Sequence, residues 1–163
     1  MLSIRSGTAN DVPLLKTFFE EFATFERLSS VVSEEQLRQD GFGARPKFRV
    51  LIAEIDALPA GYALFFDCYS SLRGHGIFLE DLFVRPRFRG KSVGRALLAR
   101  VARITDDANG FGIMFNVLGW NDGAIRFYRR IGATFLDDWK TVWLEQEALH
   151  DLANEGLSSE FSH

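Results

Sequence analysis

Apolar positions along the chain follow two periods. Val12, Leu15, Phe18, Phe19, Phe22 and Phe25 recur every three or four residues, which predicts an amphipathic helix. Thr8, with Asp11 three residues on, supplies a capping signal ahead of it. Ser33-Glu34-Glu35-Gln36 predicts a second helix start, and Gly41 its end. Val93, Ala96, Leu97, Val101 and Ile104 share one face of a helix over 93–104. Ala124 to Ile131 reads as a short helix closed by Gly132, and Glu145 to Asn154 as a last one. Between the helices, strand formers mark Leu2–Arg5, Phe48–Ile55, Gly61–Phe66, Ile77–Val84, Ile113–Leu118, Thr134–Leu136 and Lys140–Leu144. Turns are expected at Asp56–Ala60 and Arg73–Gly76, and Pro86 breaks the strand before it.

The early strands follow one another as hairpins, and the later ones alternate with helices. That order predicts an α/β (α+β) fold, with a mixed central sheet of about seven strands flanked by helices on both faces. A chain of 163 residues without internal repeats fits one domain, expected over 1–155, followed by a polar tail at 156–163.

Charge and composition narrow the function. A net charge of -3 with both signs mixed argues against nucleic acid as a partner, which calls for a basic stripe. No run reaches the ~18 apolar residues of a membrane helix, and Met1 to Arg5 lacks the apolar region of a signal peptide. The expectation is a cytoplasmic protein that does not engage membranes. One cysteine, Cys68, allows no internal disulfide and reads as a strand residue rather than a nucleophile. His75, His150 and His163 lack ligand spacing, so no metal is expected.

The chemistry concentrates in Leu79-Glu80-Asp81-Leu82-Phe83-Val84-Arg85-Pro86-Arg87-Phe88-Arg89-Gly90-Lys91-Ser92-Val93-Gly94-Arg95. A buried strand runs through a glycine-containing turn directly into a helix. Helix N-termini offer unpaired N–H groups and a positive dipole end, and glycines admit a phosphate to the backbone. Arg89, Lys91 and Arg95 add positive charge. Gly90-Lys91-Ser92 matches the end of a P-loop, but the first glycine of that motif would fall on Arg85. The bland alternative is an ordinary helix start with solvated basic residues.

Arg89-x-x-Ser92-x-Gly94 resembles the Arg/Gln-x-x-Gly-x-Gly/Ala signature of the GNAT acetyltransferases, with Ser92 in place of the usual middle glycine. Asn121-x-x-Ala124-x-x-Phe127-Tyr128-x-x-x-Gly132-Ala133 resembles a second GNAT segment. Asp40-Gly41-Phe42-Gly43, Leu79 to Val84 and Phe127 to Ala133, with Ala23-x-Phe25-Glu26 and Trp139, are similar to the spermidine/spermine (diamine) acetyltransferases. The likeness spans about residues 2–152.

The resemblance implies acetyl-CoA as co-substrate, a small-molecule amine such as a polyamine or thialysine as acceptor, and a homodimer. It implies a coenzyme site from Leu82, Phe83, Val84, Arg89, Gly90, Lys91, Ser92, Val93, Gly94, Arg95, Asn121, Ala124 and Tyr128. An alkylammonium with a pKa of ~10.4 must lose a proton before it attacks, and a carboxylate is a natural base. Glu80 is the candidate, its alternative role being a strand glutamate paired with a basic neighbour. Strand alternation separates Glu80 from Asp81 unless a bulge intervenes, which leaves open which of the two is the base. In the resembled family a tyrosine at the position of Tyr128 returns a proton to the leaving thiolate. Phe25, Glu26, Asp67, Glu80, Asp81 and Trp139 are the candidate acceptor site, with Tyr69 as a further wall. A peptide acceptor, or acyl-CoA sensing without turnover, are the competing readings.

Overall fold

A computed structural model describes residues 1–28 and 31–159, the side chains of 156–159 excepted. The chain divides into two compact units, Met1–Asn116 and Val117–His163, which are described in turn.

The first unit is built on a sheet of five strands in sequential order: β1 (Leu2–Ser6), β2 (Arg49–Ile55), β3 (Leu58–Ser70), β4 (Gly74–Val84) and β5 (Ile113–Met114). β1 to β4 pair antiparallel, and β5 joins β4 in parallel at Ile77 and Phe78. The sheet is therefore mixed, as the element order predicts. The turn between β2 and β3 is tighter than expected: Asp56 and Ala57 both take positive φ, 50° and 62°, and Ile55 pairs directly with Leu58. That is the backbone of a two-residue hairpin, whose hand matches the twist of the strands. β3 consequently starts before Pro59 rather than after it.

Helix α1 (Val12–Glu26) covers one face of the sheet together with α2 (Glu34–Phe42). Thr8 caps a single 3-10 turn that leads into α1, its amide donating to Asp11 Oδ2 at 2.8 Å. Ser33 Oγ accepts the Gln36 amide at the start of α2. Phe18, Phe19 and Phe22 from α1 pack on Tyr62 of β3, and Phe18 and Phe22 also meet Phe83 of β4, with ring centroids 5.2–6.5 Å apart. Such ring pairs add specific geometry to apolar burial. Helix α3 (Val93–Asp107) buries Val93, Leu97, Leu98 and Val101. It lies over the opposite face, where Val84, one residue out of phase with Phe83, approaches Gly94. Helices on both faces agree with the expectation.

The second unit holds α4 (Asp122–Arg130) and α5 (Gln146–Ser159). The strands expected at Thr134–Leu136 and Lys140–Leu144 do not form: this stretch is irregular, and Trp139, Val142 and Trp143 are 74–85 % exposed. The described sheet thus has five strands, not about seven. Strand propensity expresses fit to a half-buried pleated surface, and these residues have no ladder partner. Ile113–Leu118 is likewise cut to two residues. α5 runs on to Ser159, into the segment read as a polar tail; residues 160–163 lie outside the described residues.

Candidate active site

β4 carries the site in the first unit. Its pairing with β3 slips by one residue: Leu64 opposes Asp81, but Phe65 opposes Leu79, so Glu80 has no partner. This bulge re-aims the strand. Asp81 and Phe83 share the face covered by α1, as Phe83 packs in the aromatic cluster and Asp81 accepts a hydrogen bond from the Tyr62 hydroxyl at 2.9 Å. Leu79 switches to the other face and is buried. Glu80, left over at the bulge, is exposed and lies close enough to raise the pKa of both Asp81 and Glu26.

Glu26, at the end of α1, Glu80 and Asp81 therefore form an acidic cluster over the Tyr62 hydroxyl. Burial is the main cause that lifts Asp81 to about 7, with Glu80 and Glu26 adding repulsion and the Tyr62 hydrogen bond opposing it. Burial, then Glu80, raises Glu26 too. Tyr62 is raised well above the ordinary phenol value by burial and by Asp81, so its hydroxyl stays a donor. Sequence reasoning missed Tyr62. The signal was a tyrosine in an aliphatic strand, whose buried hydroxyl needs a partner.

Asp67 does not join the cluster. It sits on the opposite face of β3 from Tyr62 and Leu64, bonded to Arg49 Nη2 at 2.7 Å and to His75 Nε2 at 3.0 Å. Tyr69 is 81 % exposed near the end of the same strand. Phe25 lies under the Arg89 guanidinium, 4.8 Å from ring centroid to Cζ.

Past Phe78, β4 has no strand on its outer side among the described residues of the first unit. Arg85 donates to Ala60 O across β3, while Val84 O accepts from Arg89 Nε at 3.0 Å on the other side. Antiparallel alternation then turns the amides of Leu82 and Val84 outward and that of Phe83 into the ladder with Tyr62. Of Leu82, Phe83 and Val84, all expected at the coenzyme site, Phe83 thus has its amide in the ladder.

β4 ends in a lock: Arg85 makes a two-pronged ion pair with Glu21 of α1, with both N···O distances at 2.8 Å, and lies over the Phe18 ring. The turn that follows has Gly90 at φ 75° and Ser92 at φ 62°, and α3 begins at Val93. Positive φ explains why glycine is the usual residue at position 92 of this signature. A Cβ built on Gly90 meets nothing within 4 Å, and one on Gly94 meets only Val84 Cγ2 at 3.6 Å. The backbone of the turn is open at Gly90 and Gly94, the first N–H groups of α3 have no partner within the helix, Arg89, Lys91 and Arg95 are exposed, and Val93 is buried. These residues fit a pyrophosphate-bearing coenzyme.

In the second unit, Asn121 Oδ1 accepts the Ala124 amide at 3.2 Å, so this motif pair builds the N-cap of α4. Tyr128 is 7 % exposed, and burial pushes its hydroxyl up to about 12. Gly132, at φ 87°, closes the helix, and Ala133 donates to Tyr128 O. Trp139 lies in the irregular exposed stretch.

The profile of the Acetyltransferase (GNAT) family matches residues 14–133. The chain belongs to that family. This member is 35% identical to the thialysine N-epsilon-acetyltransferase of Sus scrofa, over 93% of this chain and 97% of the relative. It is 30% identical to a spermidine/spermine N(1)-acetyltransferase-like protein of Homo sapiens, over 93% of this chain but 24% of that longer protein. Its fold matches an aminoglycoside N-acetyltransferase solved in complex with CoA, with a TM-score of 0.70 at 17% identity, covering 90% of this chain and 95% of the other. As a GNAT member with named acetyltransferase relatives across its length, the protein is an N-acetyltransferase. Among the described residues no group of His, Cys, Asp or Glu gathers that could hold a metal ion, and no helix is long and apolar enough to cross a membrane.

Proposed function

We propose that this enzyme acetylates a primary amine of a small cationic molecule of the thialysine or polyamine type. The observation that carries the reading is the acidic cluster that Glu26 of α1 forms with Glu80 and Asp81 of β4, the strand that leads into the cradle. The similarity to thialysine acetyltransferases over nearly the whole chain supports it.

Acetyl-CoA, held at the turn, supplies the activated acetyl thioester. The N–H groups at the start of α3, with Arg89, Lys91 and Arg95, bind and neutralise its phosphates. The outward amides of Leu82 and Val84 donate to the extended arm and orient the carbonyl. Asn121 and Ala124 contribute by holding α4 in shape.

The Glu80–Asp81 pair, with Glu26, attracts the ammonium and takes its proton, which frees the nitrogen lone pair. Glu80 is the exposed member and meets the amine. Asp81, raised to about 7, is better matched to this proton than an ordinary carboxylate. Phe25 lines the apolar side. Tyr128 holds a proton for the departing sulfur; its elevated pKa keeps the hydroxyl protonated at neutral pH. Asp67 is left out of the acceptor site, and Trp139 stays in it on the strength of the sequence resemblance alone. We read the working form as a homodimer on the same ground, and as cytoplasmic on the sequence pattern alone.

The test is thiol release from acetyl-CoA against spermidine, spermine, putrescine, thialysine, lysine and a short peptide. Turnover with thialysine or a polyamine, and little with the peptide, is expected. Turnover of the peptide alone would discard the small-molecule site. Tight coenzyme binding without turnover of any acceptor would favour a sensor.

A further inference from the structure

Tyr62 is completely buried in the first unit, its ring stacked on Phe18 at 5.4 Å and flanked by Phe19, Phe22 and Phe83. Its one polar atom points out of this aromatic cluster to Asp81 Oδ2. A phenylalanine would satisfy the packing equally well, so the hydroxyl requires a separate explanation.

We propose that Tyr62 is a positioning residue for the proton transfer: its buried hydroxyl occupies one oxygen of Asp81, aims the other at the acceptor, and governs how readily Asp81 accepts the proton. The inference rests on the amine-acetylation reading above. In the step concerned, one N–H bond of the ammonium breaks and one O–H bond forms on the carboxylate pair. No other group is oxidised, reduced or transferred. The phenol proton stays on Tyr62 throughout, because burial and Asp81 both oppose its loss.

The groups that act on Asp81 from the packed elements are Tyr62 on β3, Glu80 on β4 and Glu26 on α1. The two carboxylates raise it; the hydroxyl alone lowers it. The cations at the end of β4 are engaged elsewhere, Arg85 with Glu21 and Pro59 O, and Arg89 with Val84 O and Phe25. Loss of the hydroxyl therefore leaves the carboxylate with repulsion and burial unopposed, and the carboxyl keeps its proton to higher pH.

The experiment compares Tyr62→Phe with the wild-type chain in two readouts. The first is kcat/KM for the acceptor found in the panel, from pH 5.5 to 10. The acidic limb is expected to move up by about one pH unit, giving about a tenfold loss near pH 6 that vanishes at high pH. A uniform loss at every pH, with an unmoved limb, would reduce Tyr62 to packing and overturn the inference. The second readout is a carbon-13 NMR titration of the Asp81 carboxyl without substrate. Its midpoint should rise in the variant, and an unmoved or lowered midpoint would overturn the inference even if activity fell. If the wild-type enzyme turns over no amine in the panel, the functional reading fails, and the NMR titration still decides the coupling of Tyr62 to Asp81.

Discussion

One strand, β4, leads through two regions that assemble sites by opposite means. The turn at its end presents backbone: N–H groups, two positive-φ residues and empty space where side chains would stand. Its middle presents side chains: three carboxylates from two elements brought together by one unpaired residue. In the reading proposed here the first region attracts anions because peptide dipoles converge there, and this needs only local chain geometry. The second is proposed to attract cations because charges are crowded, and this needs the sheet, the bulge and α1 to be in position. A backbone site survives most side-chain changes and fails when filled. A side-chain site is neutralised by one amide.

The largest effect should come from filling the backbone site. Gly94→Glu extends a carboxylate from a position whose Cβ has only Val84 nearby, so the fold holds while the concavity fills. Coenzyme affinity measured by calorimetry should fall more than about a hundredfold, through lost space and added repulsion. Normal binding by a folded Gly94→Glu variant would remove the cradle from the coenzyme site.

Asp81→Asn should instead leave coenzyme affinity intact while kcat/KM for the amine drops by about a hundredfold. A parallel loss of coenzyme binding would show that the two regions are not separable. The same substitution has a stability signature. The folded-state pKa of Asp81 is raised from 3.8 to about 7, so the native state holds the proton more tightly than the unfolded chain. Stability is therefore lost as pH rises through that window. Asp81→Asn should melt at the wild-type temperature near pH 3 and about 10 °C higher at pH 8.

Tyr128→Phe should lower kcat by about ten- to a hundredfold with acetyl-CoA affinity within about threefold. Unchanged kcat would remove Tyr128 as the proton donor. The smallest effect should be that of Ser92→Gly. Relief of a non-glycine residue at φ 62° is worth about 1 kcal/mol, offset in part by the freer unfolded chain, so the melting temperature should rise by about 2 °C. A fall would mean that the Ser92 side chain makes a contact that repays the strain.

The two regions also differ in how legible they are in the sequence. Arg89 to Gly94 is contiguous, and a strand, a turn and a helix start each announce themselves by period and by glycine. The strand, the turn and the helix start could therefore be read directly. The acidic cluster could be named by residue but not assembled. Glu80 and Asp81 stand on opposite faces of a regular strand, and nothing in the local sequence says where the register slips. Asp67 looked equivalent to them by charge, yet its place on β3 puts it on the other face with Arg49 and His75. Helices α1 and α3 were legible to within a few residues because apolar period and caps agree. Thr134–Leu136 and Lys140–Leu144 failed for the complementary reason: β-forming residues specify a strand only when a ladder partner is present.

The outer side of β4 has a consequence for self-association. From Leu79 to Val84 no strand among the described residues of the first unit pairs with it, and the amides of Leu82 and Val84 turn outward between apolar side chains, a pattern that invites edge-to-edge pairing between chains. Here the edge is interrupted by a bulge and by the exposed carboxylate of Glu80, the devices by which natural sheets discourage such pairing. Glu80 then acts as a gatekeeper against self-association besides the catalytic role proposed for it. Selection for catalysis and selection against aggregation would act on the same side chain.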